Sequence, residues 1–207
     1  MSIINFSQPG ISMIHPHTEL KYINEEIGHG VFATKPIPAG TIIWAQDKLD
    51  RVFSLADLEK MEPVYRSIVE NYTFRNSSGQ YIFCWDNGKY INHSFKSNCM
   101  STPYEFEIAI CDMQPGDQIT DDYGYLNIIE PFRAADEGTK RKTVYPDDLL
   151  KYYKTWDKKI KKIFPKIIKL DQPLKPIISK ELWVKIESIC EGREQPDSIL
   201  NNYFKGI

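Results

Sequence analysis

Short apolar runs rich in β-branched and aromatic residues, punctuated by glycine and proline, fill the first two-thirds of the chain, and apolar positions at helical spacing take over beyond Pro131. Leu20 to Asn24 and Val31 to Thr34 flank Gly28-His29-Gly30, which predicts two short strands joined as a hairpin. Pro36-Ile-Pro-Ala-Gly40 is turn chemistry, with proline fixing φ and glycine freeing it, and Thr41 to Ala45 then predicts a third strand. Ser54 is placed to cap a helical turn. Pro63 suits the first position of a helix whose apolar residues Val64, Tyr65, Ile68, Val69 and Tyr72 keep helical spacing, so a helical insert is expected at about 54–72. Tyr81 to Trp85 and Tyr104 to Cys111 predict further strands, and the turn Met113-Gln-Pro-Gly-Asp117 leads into a last short strand at Gln118 to Thr120.

In the tail, Pro146-Asp-Asp148 marks a helix start with acids in its first turn, and Ser179 to Gly192 has an N-capping serine and a closing glycine around Leu182, Ile186 and Ile189. The expected organisation is a leader at 1–17, a mostly β unit at 18–130 with its helical insert, and a helical C-terminal segment at 131–207. At 207 residues this is one well-buried domain with an appendage. No repeat or low-complexity run interrupts it, and the basic stretch Lys158-Lys-Ile-Lys-Lys162 is expected to be the solvated face of a helix.

Composition narrows the function classes. With 42% hydrophobic and 26% charged residues and a net charge of -2, the chain shows neither disorder nor the basic footprint of nucleic-acid binding. The start lacks a basic segment followed by an apolar one, and no later stretch is apolar enough to span a bilayer, so the expectation is an intracellular, cytoplasmic protein, or a nuclear one in a eukaryote. The cysteines at 84, 99, 111 and 190 form no CxxC pair and are expected as buried free thiols. Sequon matches at Asn71, Asn76 and Asn92 are read as accidental in such a chain, and the His15/His17 pair as surface polar sequence.

Three segments carry candidate chemistry. The first is Gly28-His29-Gly30 through Gly40, the second Tyr90-Ile-Asn92-His93-Ser94-Phe95 through Cys99, and the third Gly116 through Asp121-Asp122-Tyr123-Gly124-Tyr125. Gly28 and Gly30 allow a bulky charged ligand to approach the backbone beside His29, although a plain hairpin turn needs the same residues. Asn92 and His93 stand in an apolar strand-like context where polar side chains need partners, supplied by a ligand or by a structural hydrogen-bond network.

In that order and separation these blocks resemble the signature motifs of SET-domain protein lysine methyltransferases, over about Leu20 to Pro131. The resemblance implies a β-clip fold in which the Asn92-His93 segment is threaded as a pseudoknot. It also implies S-adenosylmethionine as cofactor, bound by Gly28, His29, Gly30, Asn92, His93 and Tyr123, and a protein or peptide substrate bearing lysine. Tyr123 matches the family's catalytic tyrosine. An ε-amine of reference pKa about 10.4 must lose its proton before attacking a methyl group. Burial and a neighbouring positive sulfur both favour that loss, which leaves orientation of the amine as the work of a tyrosine hydroxyl. Tyr81, Tyr104 and Tyr125 are candidates for an aromatic wall around the lysine stem, and Asp121 for the same channel.

The chain also departs from the family. Many members close the site with zinc, yet the matching positions here are Phe95, Ala134, Asp136 and Arg141, none of them a thiolate. A metal-free protein is expected, with the tail from Phe132 onward closing the channel and Tyr145 contributing to the adenine side. Asp121 replaces a residue that is commonly aromatic, and Gln118 one that is usually acidic. Asp121 is open to three readings, binding the ammonium, facing solvent or marking a drifted enzyme, with solvent favoured; with Asp122 it is also a candidate floor for an acidic peptide groove. The alternative to an enzyme is a catalytically silent SET module that binds cofactor or peptide as a scaffold. Histone and non-histone substrates, the number of methyl groups added and the oligomeric state stay open.

Overall fold

The computed structural model describes residues 14–206; most of the predicted leader therefore lies outside the described residues. Strands β1 (Thr18–Asn24) and β2 (Gly28–Ala33) form the expected antiparallel hairpin. Its turn is built by Asn24, whose side-chain oxygen accepts from the backbone N–H of Glu26 and Ile27, and Gly28 takes a φ of +78° that favours glycine. β3 (Ile42–Ala45) follows the proline turn. The insert begins with β4 (Arg51–Phe53), continues through α1 (Leu55–Glu59) and α2 (Pro63–Tyr72), and returns in β5 (Thr73–Arg75) and β6 (Tyr81–Phe83), with β6 central in a three-stranded sheet. Ser54 and Asp57 form a reciprocal capping box at α1, and Pro63 occupies the start of α2.

β7 (Asn92–His93) pairs in parallel with β10 (Thr120–Asp121), while β8 (Cys99–Ser101) and β9 (Phe106–Ala109) make a sheet with β3 in which β9 is central. A small hairpin of β11 (Phe132–Arg133) and β12 (Thr143–Val144) leads to α3 (Asp148–Ile163) and α4 (Lys180–Cys190), the latter capped by the Ser179 side chain. The architecture is mixed β+α. Short strands in small sheets fill the first two-thirds around the helical insert, and helices make up the tail, in line with the expected β unit and helical extension.

Side chains alternate across the β3-β9-β8 sheet, and this alternation divides the core in two. Ile42, Met100 and Ile108 face Leu149, Trp156, Ile160, Phe164 and Ile186 of the tail. Ile43, Cys99 and Ala109 face Val31, Ile37, Ile91 and Ile119 on the other side. The tail thus covers one face of this sheet and is not an appendage, and a smaller third cluster of Phe53, Leu58, Val69 and Tyr81 fills the insert. Buried Gln172 fastens it: its Nε2 donates to Gly40 O and Ile167 O, each at 2.9 Å, and its Oε1 accepts from Ile42 N at 2.9 Å.

Several expectations change. Tyr104 lies in the turn between β8 and β9, not in a strand, because Thr102 closes that turn onto Phe106 O and Glu105 takes a φ of +59°. The α2 residues Val64, Tyr65 and Ile68 are exposed, and Val69 is the buried residue of that helix. Cys111 is exposed and Cys190 partly so, while Cys84 and Cys99 are buried. The four lysines of 158–162 are exposed, as expected of a solvated face. Among the described residues no helix is long and apolar enough to cross a membrane.

His15 is buried, contrary to its expected surface place, because Ile14 bridges to Trp44 and His15 N donates to Ile43 O at 2.7 Å. Burial, helped by the nearby His17, lowers its pKa from 6.5 to about 4. As pH falls through 6.5 the unfolded chain takes up a proton that the folded one refuses, so stability is lost between pH 6.5 and about 4. Urea titrations across that range should show a shallower pH slope for His15→Asn than for the wild type; equal slopes would remove His15 as the cause. Gln172→Ala strands the Ile42 N–H and should cost about 2 kcal/mol in the same titrations at pH 7.

Candidate functional site

The hairpin β1-β2, the β7 segment and the turn after β10 meet at one place. Gly30 is packed so closely that an added Cβ would lie 2.7 Å from the Ile23 side chain, 2.8 Å from Gln118 Nε2 and 3.0 Å from Asn92 Nδ2. At Gly28 nothing lies within 4 Å of that position, so the hairpin is filled at one glycine and open at the other. Asn92 Nδ2 donates to His29 O at 2.9 Å and ties β7 to the hairpin. Asp86 starts the approach to β7 by capping the short helical turn Asn87–Tyr90, and Asn98 holds β10 from the far side, accepting from Thr120 N at 2.9 Å.

Tyr123 opens a second short turn, Tyr123–Tyr125, capped by Asp122. Its hydroxyl donates to Ile91 O at 2.7 Å and its N–H donates to His93 Nδ1 at 3.1 Å. His93 is therefore an acceptor at Nδ1. Burial lowers its pKa, so the ring is neutral with its proton on Nε2. That Nε2 is buried, and among the described residues it has no partner. Phe95, Tyr123 and Phe132 surround the ring, with centroids 4.5, 5.4 and 5.4 Å away. Burial, reinforced by the charges of Asp121 and Glu107, raises the pKa of Tyr123 and keeps its phenol protonated.

A cavity of ≈ 610 Å³ opens beside Tyr123, lined among others by Trp44, Tyr81, Glu107, Asp121, Tyr125 and Asn202. Tyr81, Tyr125 and Asp121 are thus brought together with Tyr123 as the sequence suggested. Tyr104 is not among the lining residues. It packs on Phe106 and Phe164 instead, and its hydroxyl accepts from Asp197 N at 2.7 Å. Gly28, His29, Gly30, Asn92 and His93 lie outside the lining, and Tyr123 is where their cluster and the cavity meet.

Asp121 does not face solvent: it is 1% exposed, and its Oδ1 accepts from the Tyr125 hydroxyl. Burial, and next the charge of Glu107, pushes its pKa well above the carboxylate range. Burial likewise raises Glu107 to about 7. Sequence reading missed Glu107. The one available signal was a charged residue inside the apolar run Phe106-Glu-Ile-Ala109.

Asp122 is no groove floor either, because it is buried and paired with Arg141. The same guanidinium pairs with Asp148 at the start of α3, 2.6 Å away, and lies over the rings of Phe95, Tyr152 and Trp156 at 4.6, 4.8 and 5.7 Å. Two of the positions where the family would place zinc ligands, Phe95 and Arg141, are in this way in direct contact. A third, Asp136, pairs with Lys142. Among the described residues no group of three or more His, Cys, Asp or Glu side chains is arranged to hold a metal ion. Tyr145 is exposed, with Lys151 Nζ 5.0 Å from its ring centroid.

Residues 28–124 match the family model described as the SET domain, a span that runs from Gly28 through the Asn92-His93 block to Gly124. No curated protein matches the chain.

Arg141→Met would leave Asp122 and Asp148 as buried carboxylates without their cation, and should destabilise the fold by about 3 kcal/mol or more. Chemical denaturation monitored by tryptophan fluorescence reads this through Trp156; a loss below about 1 kcal/mol would show that the clamp is not structural.

Proposed function

We propose, from the premise that this chain is a SET-domain protein, that it is a methyltransferase acting on the ε-amine of a protein lysine with S-adenosylmethionine as methyl donor. The observation that carries the reading is Tyr123, held by two hydrogen bonds at the meeting point of the glycine-asparagine-histidine cluster and an aromatic cavity. The residues present suit the cofactor. Gly28 leaves open space beside the backbone, and the His93 Nε2–H is a buried donor awaiting an acceptor. Gly28, His29, Gly30, Asn92 and His93 would hold it. When bound it supplies a methyl group activated by a sulfonium. The parallel β7-β10 pairing supports a threaded arrangement of the Asn92-His93 segment.

The roles of the chain's own residues follow from their protonation and placement. A phenol that stays protonated is an orienting group and not a base. Because the Tyr123 hydroxyl spends its proton on Ile91 O, its oxygen is left as an acceptor for the amine N–H or for weak C–H contacts. Tyr81, Tyr125 and Trp44 give the lysine stem an apolar wall, and Asn201 and Asn202 from the tail complete the lining. Tail closure of the channel in this way needs no metal.

Incubating tritiated S-adenosylmethionine and whole-cell extract with wild-type protein should label discrete protein bands, and Tyr123→Phe should reduce that label about a hundredfold, the scale of a lost orienting contact. Cofactor binding measured by calorimetry should survive the substitution. Binding without any label from the wild type would favour the silent module, and absence of binding would remove the cofactor assignment.

A further inference from the structure

Two cations line the cavity beside Tyr123, Lys89 and Arg75, and they differ in what they are committed to. Lys89 Nζ donates to Asp86 O at 2.6 Å and to Trp85 O at 3.4 Å. The Arg75 guanidinium makes no hydrogen bond and no ion pair among the described residues, and its Nε is buried without an acceptor. A desolvated guanidinium N–H is costly until an acceptor completes it, and the fork of an arginine matches the two oxygens of a carboxylate. The acids lining the same cavity do not fill that place. Glu70 pairs with Arg66, Glu105 is exposed, and Glu107 and Asp121 are hydrogen-bonded to each other and held by burial toward their protonated forms.

The free group is nevertheless firmly placed. Its Cζ lies 4.9 Å from the centroid of the Phe204 ring. That ring is seated on Gly79, where an added Cβ would lie 2.5 Å from Phe204 Cζ. Buried Asn127 ties the two residues together: its Nδ2 donates to Arg75 O at 2.9 Å, and its Oδ1 accepts from Phe204 N at 2.9 Å. One amide thus fixes the backbone of Arg75 and the residue whose ring supports its side chain, and a group ordered in advance loses little freedom on binding. Arg75 is also tied to the turn that carries Tyr123, since its N–H donates to Leu126 O at 3.4 Å and Leu126 N donates to Tyr123 O at 3.1 Å.

We infer that Arg75 is the substrate-selecting residue of the cavity, pairing with a carboxylate of the peptide whose lysine reaches Tyr123. This deepens the lysine-directed reading above and rests on it. The carboxylate comes from an acidic side chain near the lysine or from the end of the peptide chain, and the Ser77 and Ser78 hydroxyls, which line the cavity next along the chain, are further donors for it. Alternate residues of an extended peptide point to the same side, so an acid two positions from the lysine faces the same cavity. The substrate class that follows is a lysine in acidic surroundings. A lysine set among other basic residues would bring like charge to Arg75 and is disfavoured.

The test uses the full chain and three pentapeptides with lysine at the centre, followed by NMR titration. The first is blocked at both ends and carries glutamate at its first and last positions, the second is its blocked glutamine twin, and the third is the glutamine peptide with a free C-terminal carboxylate. The wild type should bind the first or the third about tenfold more tightly than the second, the scale of one charge-assisted pair, and which of the two it prefers names the source of the carboxylate. Arg75→Gln should abolish the preference and leave the blocked glutamine peptide bound as before. Arg75→Lys keeps the charge without the fork, and should lower the preference severalfold even where the glutamine variant fails to fold. Equal or absent binding of the three peptides by the wild type, a preference that survives Arg75→Gln, or one unchanged in Arg75→Lys overturns the assignment. The radiolabel assay separates this from the enzymatic reading: methyl transfer without carboxylate preference sinks the Arg75 site alone, whereas preference without methyl transfer sinks the enzyme and keeps the peptide site.

Discussion

One guanidinium holds the site to the rest of the molecule. Arg141 joins Asp122, the cap of the Tyr123 turn, to Asp148, the first residue of the long tail helix, and stacks on three rings from two segments, Phe95 and the Tyr152 and Trp156 pair of α3. A lysine could not do this, since its single ammonium lacks the fork needed to serve two carboxylates while lying flat on aromatic faces. Gly124 belongs to the same joint: an added Cβ there would lie 2.6 Å from Arg141 Nη2, so the turn that carries Tyr123 is shaped to admit the guanidinium. Where many SET proteins fasten the tail by zinc coordination, an ion-pair and cation–π clamp occupies two of the corresponding positions. Such a clamp depends on burial for its strength, because the same pair in solvent contributes little.

Burial at the clamp is provided by the tail, which explains why the tail cannot be regarded as an addition. The β3-β9-β8 sheet would otherwise present Ile42, Met100, Phe106 and Ile108 to water on one face, and α3, α4 and the short helical turns between them cover that face. Gln172 then satisfies backbone groups of Gly40 and Ile42 at the rim of the sheet, where no strand is available to pair with them. Asn127 performs the same service nearer the cavity, donating to Arg75 O and Asn202 O and accepting from Phe204 N. The cavity wall is therefore built jointly by the insert, the β-rich middle of the chain and its last residues.

What the sequence made legible was local. The glycine hairpin, the proline turn, the helix starts at Ser54, Pro63 and Ser179, and the meeting of the three motifs all follow from backbone preferences or from motif chemistry that acts over a few residues. What it hid depends on partners distant in the chain. Tyr104 looked like a strand residue with its ring available, but the turn at 102–105 and contacts with Phe164 and Asp197 take it into the core. His15 looked like surface sequence until Trp44 and Ile43 closed over it. Asp121 was visible as a departure from the family, yet its meaning changed once Glu107 of β9, whose partner strand β8 packs against β10, proved to be its neighbour. No local pattern reports that two acids fourteen positions apart in the chain share one cavity.

Desolvation then sets five groups at and around Tyr123 in the same sense, toward their uncharged forms. It raises Tyr123, Tyr125, Asp121 and Glu107 and lowers His93. The consequence is a site with a neutral imidazole, protonated phenols and two carboxyls that burial holds toward their protonated forms. Asp121 thus brings to the cavity a carboxyl that burial and the neighbouring Glu107 hold toward its protonated form, tied to the Tyr125 hydroxyl, where the family resemblance leads one to expect an aromatic ring.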